Sequence, residues 1–169
     1  LIRGRHQFAL SLNNGVPEAR FDSRNDSFTA TASALDQNNA WYHLAAVYNE
    51  TDHTLTLWVN GTGGAVLELE DGDAPVSGTG TAMLGGGEWS NALLDQVRIW
   101  SVARTQPEIC DSASEYITAG ASDVVAAYRF DDGGLAVEDF AHAQPAADAA
   151  DFALRASYYG VADADGDGH

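Results

Sequence analysis

Lysine is absent from the 169 residues, and cysteine and methionine occur once each. Without lysine there is no Walker-type phosphate lysine, no Schiff-base amine and no Ser-Lys dyad. The lone Cys110 allows neither a disulfide within the chain nor a thiolate zinc cluster, and it suits an exported bacterial-type protein as readily as a cytosolic one. Positive charge is scarce: Lys+Arg is 8, all of it arginine, against Asp+Glu 25, a formal net charge of -17. Binders of nucleic acid and of anionic membranes need clustered cations to release counterions, so this balance argues against both. No apolar run approaches the ~18–20 residues of a membrane span, which argues against membrane insertion, and Leu1-Ile2-Arg3-Gly4-Arg5 is no signal peptide. With no initiator Met, the chain reads as part of a larger multidomain protein. Catalytic signatures are missing as well: no His-Glu-x-x-His, Gly-x-Ser-x-Gly or Cys-x-x-Cys occurs. Gly78-Thr79-Gly80 begins like a dinucleotide loop, but Met83 occupies the third glycine position.

What is present is enough apolar matter for a core, 45 % of residues, distributed in short strands. Strands are expected at 7–12, 18–21, 27–31, 41–49, 54–60, 65–69, 83–84, 93–100 and 124–130. Turn signals such as Asn13-Asn14-Gly15 and Asn60-Gly61 fall between them. In Thr54 to Asn60, Leu55, Leu57 and Val59 share one face while Thr54, Thr56, Trp58 and Asn60 share the other. Turns every ~8–12 residues mark an antiparallel sandwich or barrel. One short helix interrupts it: Thr105-Gln106-Pro107-Glu108 is a capping box with proline in the first turn, and Gly120 lies beyond its end. Beyond Phe130 the chain turns rich in Ala and Asp, and residues 123–169 carry ten carboxylates against Arg129 and Arg155.

Three segments together resemble the laminin-G-like, concanavalin A-like lectin family in its bacterial, pentraxin-related branch. Trp41-Tyr42-His43-Leu44-Ala45-Ala46-Val47-Tyr48, followed by Leu57-Trp58-Val59-Asn60-Gly61, is similar to the family's paired central strands. Leu94-Asp95-Gln96-Val97-Arg98-Ile99-Trp100, running into the capped turn at Thr105, is the most specific of the three. The third is Ala127-Tyr128-Arg129-Phe130-Asp131-Asp132-Gly133 with Asp139 downstream. The resemblance implies an all-β fold, an antiparallel two-sheet β-sandwich of the concanavalin A-like jelly-roll kind, with one short helix. It divides the chain into a sandwich over residues 1–140, an Ala/Asp-rich linker or closing strand over 141–162, and an acidic repeat start over 163–169. The family's opening strands would lie before Leu1, or their place would be filled from residues 124–160.

Candidate sites follow from residues and resemblance alike. Asp163-Ala164-Asp165-Gly166-Asp167-Gly168 places oxygen ligands at positions 1, 3 and 5 and glycine at 6, the first half of a calcium loop. It resembles the start of a thrombospondin-type-3 or dockerin-like repeat; the alternative is a solvated acidic end. On the sandwich rim, the resemblance implies a calcium site at positions similar to Asp26 and Ser77; Asp73 is the harder ligand near Ser77, and a solvated loop is the alternative. Asp131 and Asp139, joined by Asp132, meet a turn where carboxylates and carbonyls mix, which suits calcium, although Asx-type turn bonding explains the same residues. Asp95 shares a strand face with Val97 and Ile99 and is expected to point inward, paired with loop amides or with Arg98 and Arg104; a metal role is the alternative. Trp41, Tyr128, Phe130 and Cys110 read as packing residues, and His43 as a strand histidine with a hydrogen bond. Trp89, beside Glu88 in a glycine-rich loop, either stacks on a sugar ring or plugs the sandwich end.

The resemblance implies a non-catalytic, extracellular or cell-surface binding module of bacterial type that recognises a glycan or glycoprotein through calcium-ordered rim loops. An architectural spacer or adhesion module without its own glycan is the alternative. A glycan-cleaving enzyme is the lesser one: glucanases of this fold need carboxylates about 5–5.5 Å apart. The nearest string, Glu68-Leu69-Glu70-Asp71, lacks their Glu-x-Asp-x-x-Glu spacing.

Overall fold

The computed structural model describes residues 2–3, 8–36, 40–62, 64–76, 83–84, 93–116, 121–131 and 139–141. In chain order the elements are β1 (Ile2–Arg3), β2 (Ala9–Asn13), β3 (Val16–Asp22), β4 (Ser27–Thr31), β5 (Leu44–Asn49) and β6 (Thr54–Val59). They continue with β7 (Val66–Glu68), β8 (Met83–Leu84), β9 (Val97–Trp100), the helix α1 (Gln106–Ser112) and β10 (Val124–Tyr128). Every strand pairing is antiparallel: one sheet runs β4-β3-β2-β1-β8, a second β5-β6-β7, and β9 pairs with β10. The expected linker and acidic repeat beyond residue 141 lie outside the described residues. Among the described residues no helix is long and apolar enough to cross a membrane.

Turn chemistry sets the registers. Asn14 and Gly15 take φ of 49° and 80° between β2 and β3, the left-handed pair of a type I′ hairpin whose twist matches its strands. In β3, Pro17, Ala19 and Phe21 are buried while Glu18 and Arg20 alternate outward. In β6, Leu55 and Leu57 are wholly buried. Ala19, Phe21 and Ala30 from the first sheet meet Leu55 and Leu57 from the second, which makes the core a layer between two faces. Phe21 stands 5.1 Å from Phe28, its cross-strand partner, and meets Tyr48 edge-on at 5.4 Å.

On α1 and β10 and at residue 141, Ile109, Ala126, Ala127, Tyr128 and Ala141 are buried as well. Arg98 on β9 donates to the carbonyls of Ser112 and Glu115, which ties the end of the helix to the strand. The capping box is present: Glu108 Oε2 accepts the Thr105 N–H at 2.8 Å and the Thr105 hydroxyl at 2.7 Å. Those bonds, then the charge of Arg104, hold the Glu108 carboxyl below its ordinary value.

Four expectations are corrected. The strand expected from Trp41 starts at Leu44, and Trp41 is 68 % exposed. His43 and Asn60 close the ladder there, His43 N–H donating to Asn60 Oδ1 at 2.9 Å and Asn60 N–H to the His43 carbonyl at 2.7 Å. β6 then turns away at Gly61, so nothing on that strand continues opposite Trp41. Asp95 is exposed, because Gln96 adopts φ 51° and breaks the pleat before β9 begins; the Asp95 carboxylate accepts the Gln96 N–H at 2.7 Å. Phe130, at φ 58°, lies past the end of β10 and is half-buried. Cys110 is exposed, although its thiol donates to the Gly61 carbonyl at 3.3 Å.

Two predictions follow from the packing. Leu57→Ala removes a wholly buried side chain from between the layers and should lower unfolding free energy by about 2–5 kcal/mol in denaturant titration. His43 is half-buried with Nδ1 lacking a hydrogen-bond partner among the described residues, and burial, then the Arg98 charge, holds its pKa below the ordinary 6.5. The unfolded chain therefore binds the proton more readily, so stability is full above 6.5 and declines as pH falls below it toward the folded-state pKa. His43→Gln should flatten that decline in melting curves taken across the same range. The Glu108 contribution, depressed from an ordinary 4.5, disappears only at more acid pH and separates from it.

Candidate binding groove

The alternation that buries one face of β6 leaves the other face free for chemistry. Ala46↔Leu57 and Tyr48↔Leu55 face the core, while Ala45↔Trp58, Val47↔Thr56 and Asn49↔Thr54 face outward. Over this outer face runs the segment that leaves β9 and enters α1. Between them lies a groove of about 220 Å³. Val47, Asn49, Asp52, Thr54, Thr56 and Trp58 form its floor and one wall, and Ala103, Arg104, Thr105 and Gln106 form the other.

Each wall is held from behind. Asn49 is fixed by its own turn, Nδ2 donating to Asp52 Oδ2 at 2.7 Å and Oδ1 accepting the N–H groups of Thr51 and Asp52 at 3.0 and 3.2 Å. Arg104 stacks on Trp100, its guanidinium carbon 4.1 Å from the ring centroid. Thr105 is locked by the capping box. Gln106 Nε2 donates to the Gly61 carbonyl at 2.9 Å, the carbonyl that also takes the Cys110 thiol. Gly61 is buried at φ 67°, and a Cβ there would collide with Cys110 Sγ, so glycine is what lets the β6 turn sit against the helix. The result is an indole among hydroxyls, amides, a carboxylate and a guanidinium. That set matches a ligand with an apolar ring face and many hydroxyl groups.

A second cavity of about 420 Å³ lies at the seam between the end of β4 and the turn after β6, lined by residues 31–36, Tyr42, Val59, Gly64 and Ala65. It is larger but chemically plainer. It mixes small apolar side chains with Thr31 and Ser33, and its one charged lining residue, Asp36, already accepts the Tyr42 hydroxyl at 3.0 Å. The groove over β6 is therefore the better candidate.

The sequence-expected site residues are scattered. Asp26 is exposed at the tip of the β3–β4 hairpin, where its carbonyl accepts the N–H and hydroxyl of Ser23. Asp73 is half-buried, with Oδ2 accepting the Glu70 N–H at 3.1 Å. Their loops approach one another, since Val76 N–H donates to the Asp22 carbonyl at 3.3 Å. Asp139 Oδ1 accepts the N–H groups of Ala127 at 2.9 Å and Ala141 at 3.0 Å, the second in the manner of an Asx turn, and Asp131 is exposed. Among the described residues no group of three or more His, Cys, Asp or Glu is placed to hold a metal ion. Trp89, Glu88, Ser77, Asp132, Asp163, Asp165 and Asp167 lie outside the described residues. Trp58, Asn49, Asp52 and Arg104 are groove residues to which the sequence assigned no binding role. The alternation already put Trp58 beside Thr54 and Thr56 on the non-core face, whereas only the path of the chain after β9 brings Arg104 opposite it.

Comparison with known proteins agrees with this architecture. No curated protein matches the chain. A solved structure from Bacteroides ovatus ATCC 8483, described as a "putative carbohydrate binding protein", shares the fold with a TM-score of 0.62 at 20% sequence identity. The match covers 82% of this chain and 44% of the other, so this chain spans less than half the length of that protein. The Laminin_G_3 family model matches residues 2–110. On that match, and on two facing antiparallel sheets with one short helix, the chain belongs to the Laminin_G_3 family of the concanavalin A-like lectin/glucanases superfamily.

Proposed function

We propose that the chain is a non-catalytic module that binds a glycan or glycoprotein in the groove over β5 and β6. The observation that carries this reading is Trp58, which stands outward between Thr56 and the Arg104 wall while its strand neighbours Leu55 and Leu57 fill the core. The apolar face of a sugar ring packs on an indole, and its hydroxyls exchange hydrogen bonds with fixed amides and carboxylates such as Asn49 and Asp52. The fold shared with the Bacteroides ovatus protein supports the same direction. Binding of this kind forms no covalent intermediate. The proposed setting is outside the cell or at its surface, within a larger bacterial protein.

Trp58→Ala should reduce glycan binding about tenfold or more, since buried aromatic anchors dominate small interfaces. The check is a glycan array followed by calorimetry on the wild type and the variant, with unchanged melting temperatures confirming the fold. A silent array for the wild type overturns the reading and favours an architectural spacer.

Calcium is proposed as well, on the carboxylate alternation of Asp163, Asp165 and Asp167 and on the approach of the loops carrying Asp26 and Asp73. If these residues bind it in the folded chain, calcium at about 100 times its Kd should add about 2.7 kcal/mol of stability. A melting temperature that rises with calcium and returns with EDTA supports the proposal. An unchanged one overturns it and leaves the groove reading intact.

A further inference from the structure

Within that glycan-binding reading, on which this inference rests, we propose that the groove selects neutral sugars over acidic ones, and that Asp52 is the residue that decides it. Asp52 lines the groove on the wall opposite residues 103–106. Its Oδ2 accepts Asn49 Nδ2–H at 2.7 Å, and Asn49 Oδ1 accepts the Asp52 N–H at 3.2 Å, so side chain and backbone are tied to one partner. Swinging the carboxylate aside for an incoming anion would break the bond to Asn49.

No cation among the described residues pairs with this carboxylate. The ion pairs there join Arg20 to Asp22 and His53 to Asp71, although His53 directly follows Asp52 in the chain. Arg104, on the far wall, stacks on Trp100 at 4.1 Å, and its charge acts on the Glu108 carboxylate. The hydrogen-bonding inventory points the same way. The Thr54 and Thr56 hydroxyls both give and take, whereas Asp52 only accepts. Gln106 gives an N–H to the Gly61 carbonyl and keeps an amide oxygen that accepts nothing among the described residues. A sugar hydroxyl answers all of these, donating to Asp52 or Gln106 and accepting from a threonine. A sugar carboxylate only accepts; it leaves Gln106 unanswered and meets Asp52 charge against charge. The formal net charge of -17 adds to the repulsion. At 0.1 M salt, however, charges beyond about 10 Å are screened, so the discrimination belongs to the carboxylate in the groove.

The test is calorimetry on the full chain with two trisaccharides that differ only in their terminal residue, glucose in one and glucuronate in the other, across several linkages. At low salt the wild type should bind the neutral member at least about tenfold more tightly, because like charges set side by side strongly suppress the wrong partner. At about 1 M salt, where the Debye length falls to ~3 Å, the gap should narrow. Asp52→Asn keeps an oxygen for Asn49 and removes the charge; it should weaken the neutral member, strengthen the acidic one and close the gap. Equal affinity of the wild type for both sugars, or a preference for the acidic one, overturns the inference and leaves the glycan reading standing. A gap indifferent to salt, or one that survives Asp52→Asn at an unchanged melting temperature, overturns the role of Asp52. Binding of neither sugar in any linkage overturns the inference and the reading beneath it. The wild-type comparison and its salt dependence require no variant to fold.

Discussion

A β-strand has two faces, and the rest of this structure depends on how β6 divides its residues between them. Leu55 and Leu57 are wholly buried against Ala19, Phe21 and Ala30 of the facing sheet, and that contact fixes both the register and the depth of the strand. With the inward set fixed, Thr54, Thr56 and Trp58 have no choice but the opposite face. A shift of one residue would put Trp58 into the core and the leucines into water. The binding surface is thus a by-product of core packing, and its rigidity comes from the same contact.

The opposite wall is assembled by different means. The segment 103–106 belongs to no strand, yet it is held at three points: by the stack on Trp100, by the capping box, and by the Gly61 carbonyl, which receives both Gln106 and Cys110. Gly61 links the two walls, because it closes the β6 turn at positive φ and is also the surface on which α1 rests. On the far side, Arg98 ties the helix end to β9, and burial, then the Arg98 charge, holds the His43 pKa below its ordinary value. Core, turn and helix therefore form one connected support for the groove.

Much of this was legible in the chain. Most strand positions followed from period-two alternation and from Asn-Gly turns, which act over two to six residues and need no partner to be recognised. The capping box at Thr105 and Glu108 was visible for the same reason. The misses share a cause. The apolar segment around Trp41 suggests a strand, but strand length depends on the neighbour, and β6 turns away at Gly61. Alternation carried through Gln96 points Asp95 inward, whereas the left-handed φ of Gln96 resets the pleat. For Asp139 the sequence leaves metal and turn bonding open, and the fold brings the Ala127 amide, twelve residues away, to its oxygen as well as the Ala141 amide.

By itself the sequence determined the class of fold, the turns, the acidic surface and the two-faced character of β6, since each is a local consequence of residue type and spacing. Only the tertiary structure decided that the outward face of Trp58 and the backbone after β9 converge, that Arg104 stacks on Trp100 beside them, and that Gly61 carries the helix. These depend on contacts between residues some 45 positions apart, as in the bond from Gln106 to Gly61. No local pattern encodes such a distance; it is set when two sheets close over a shared core.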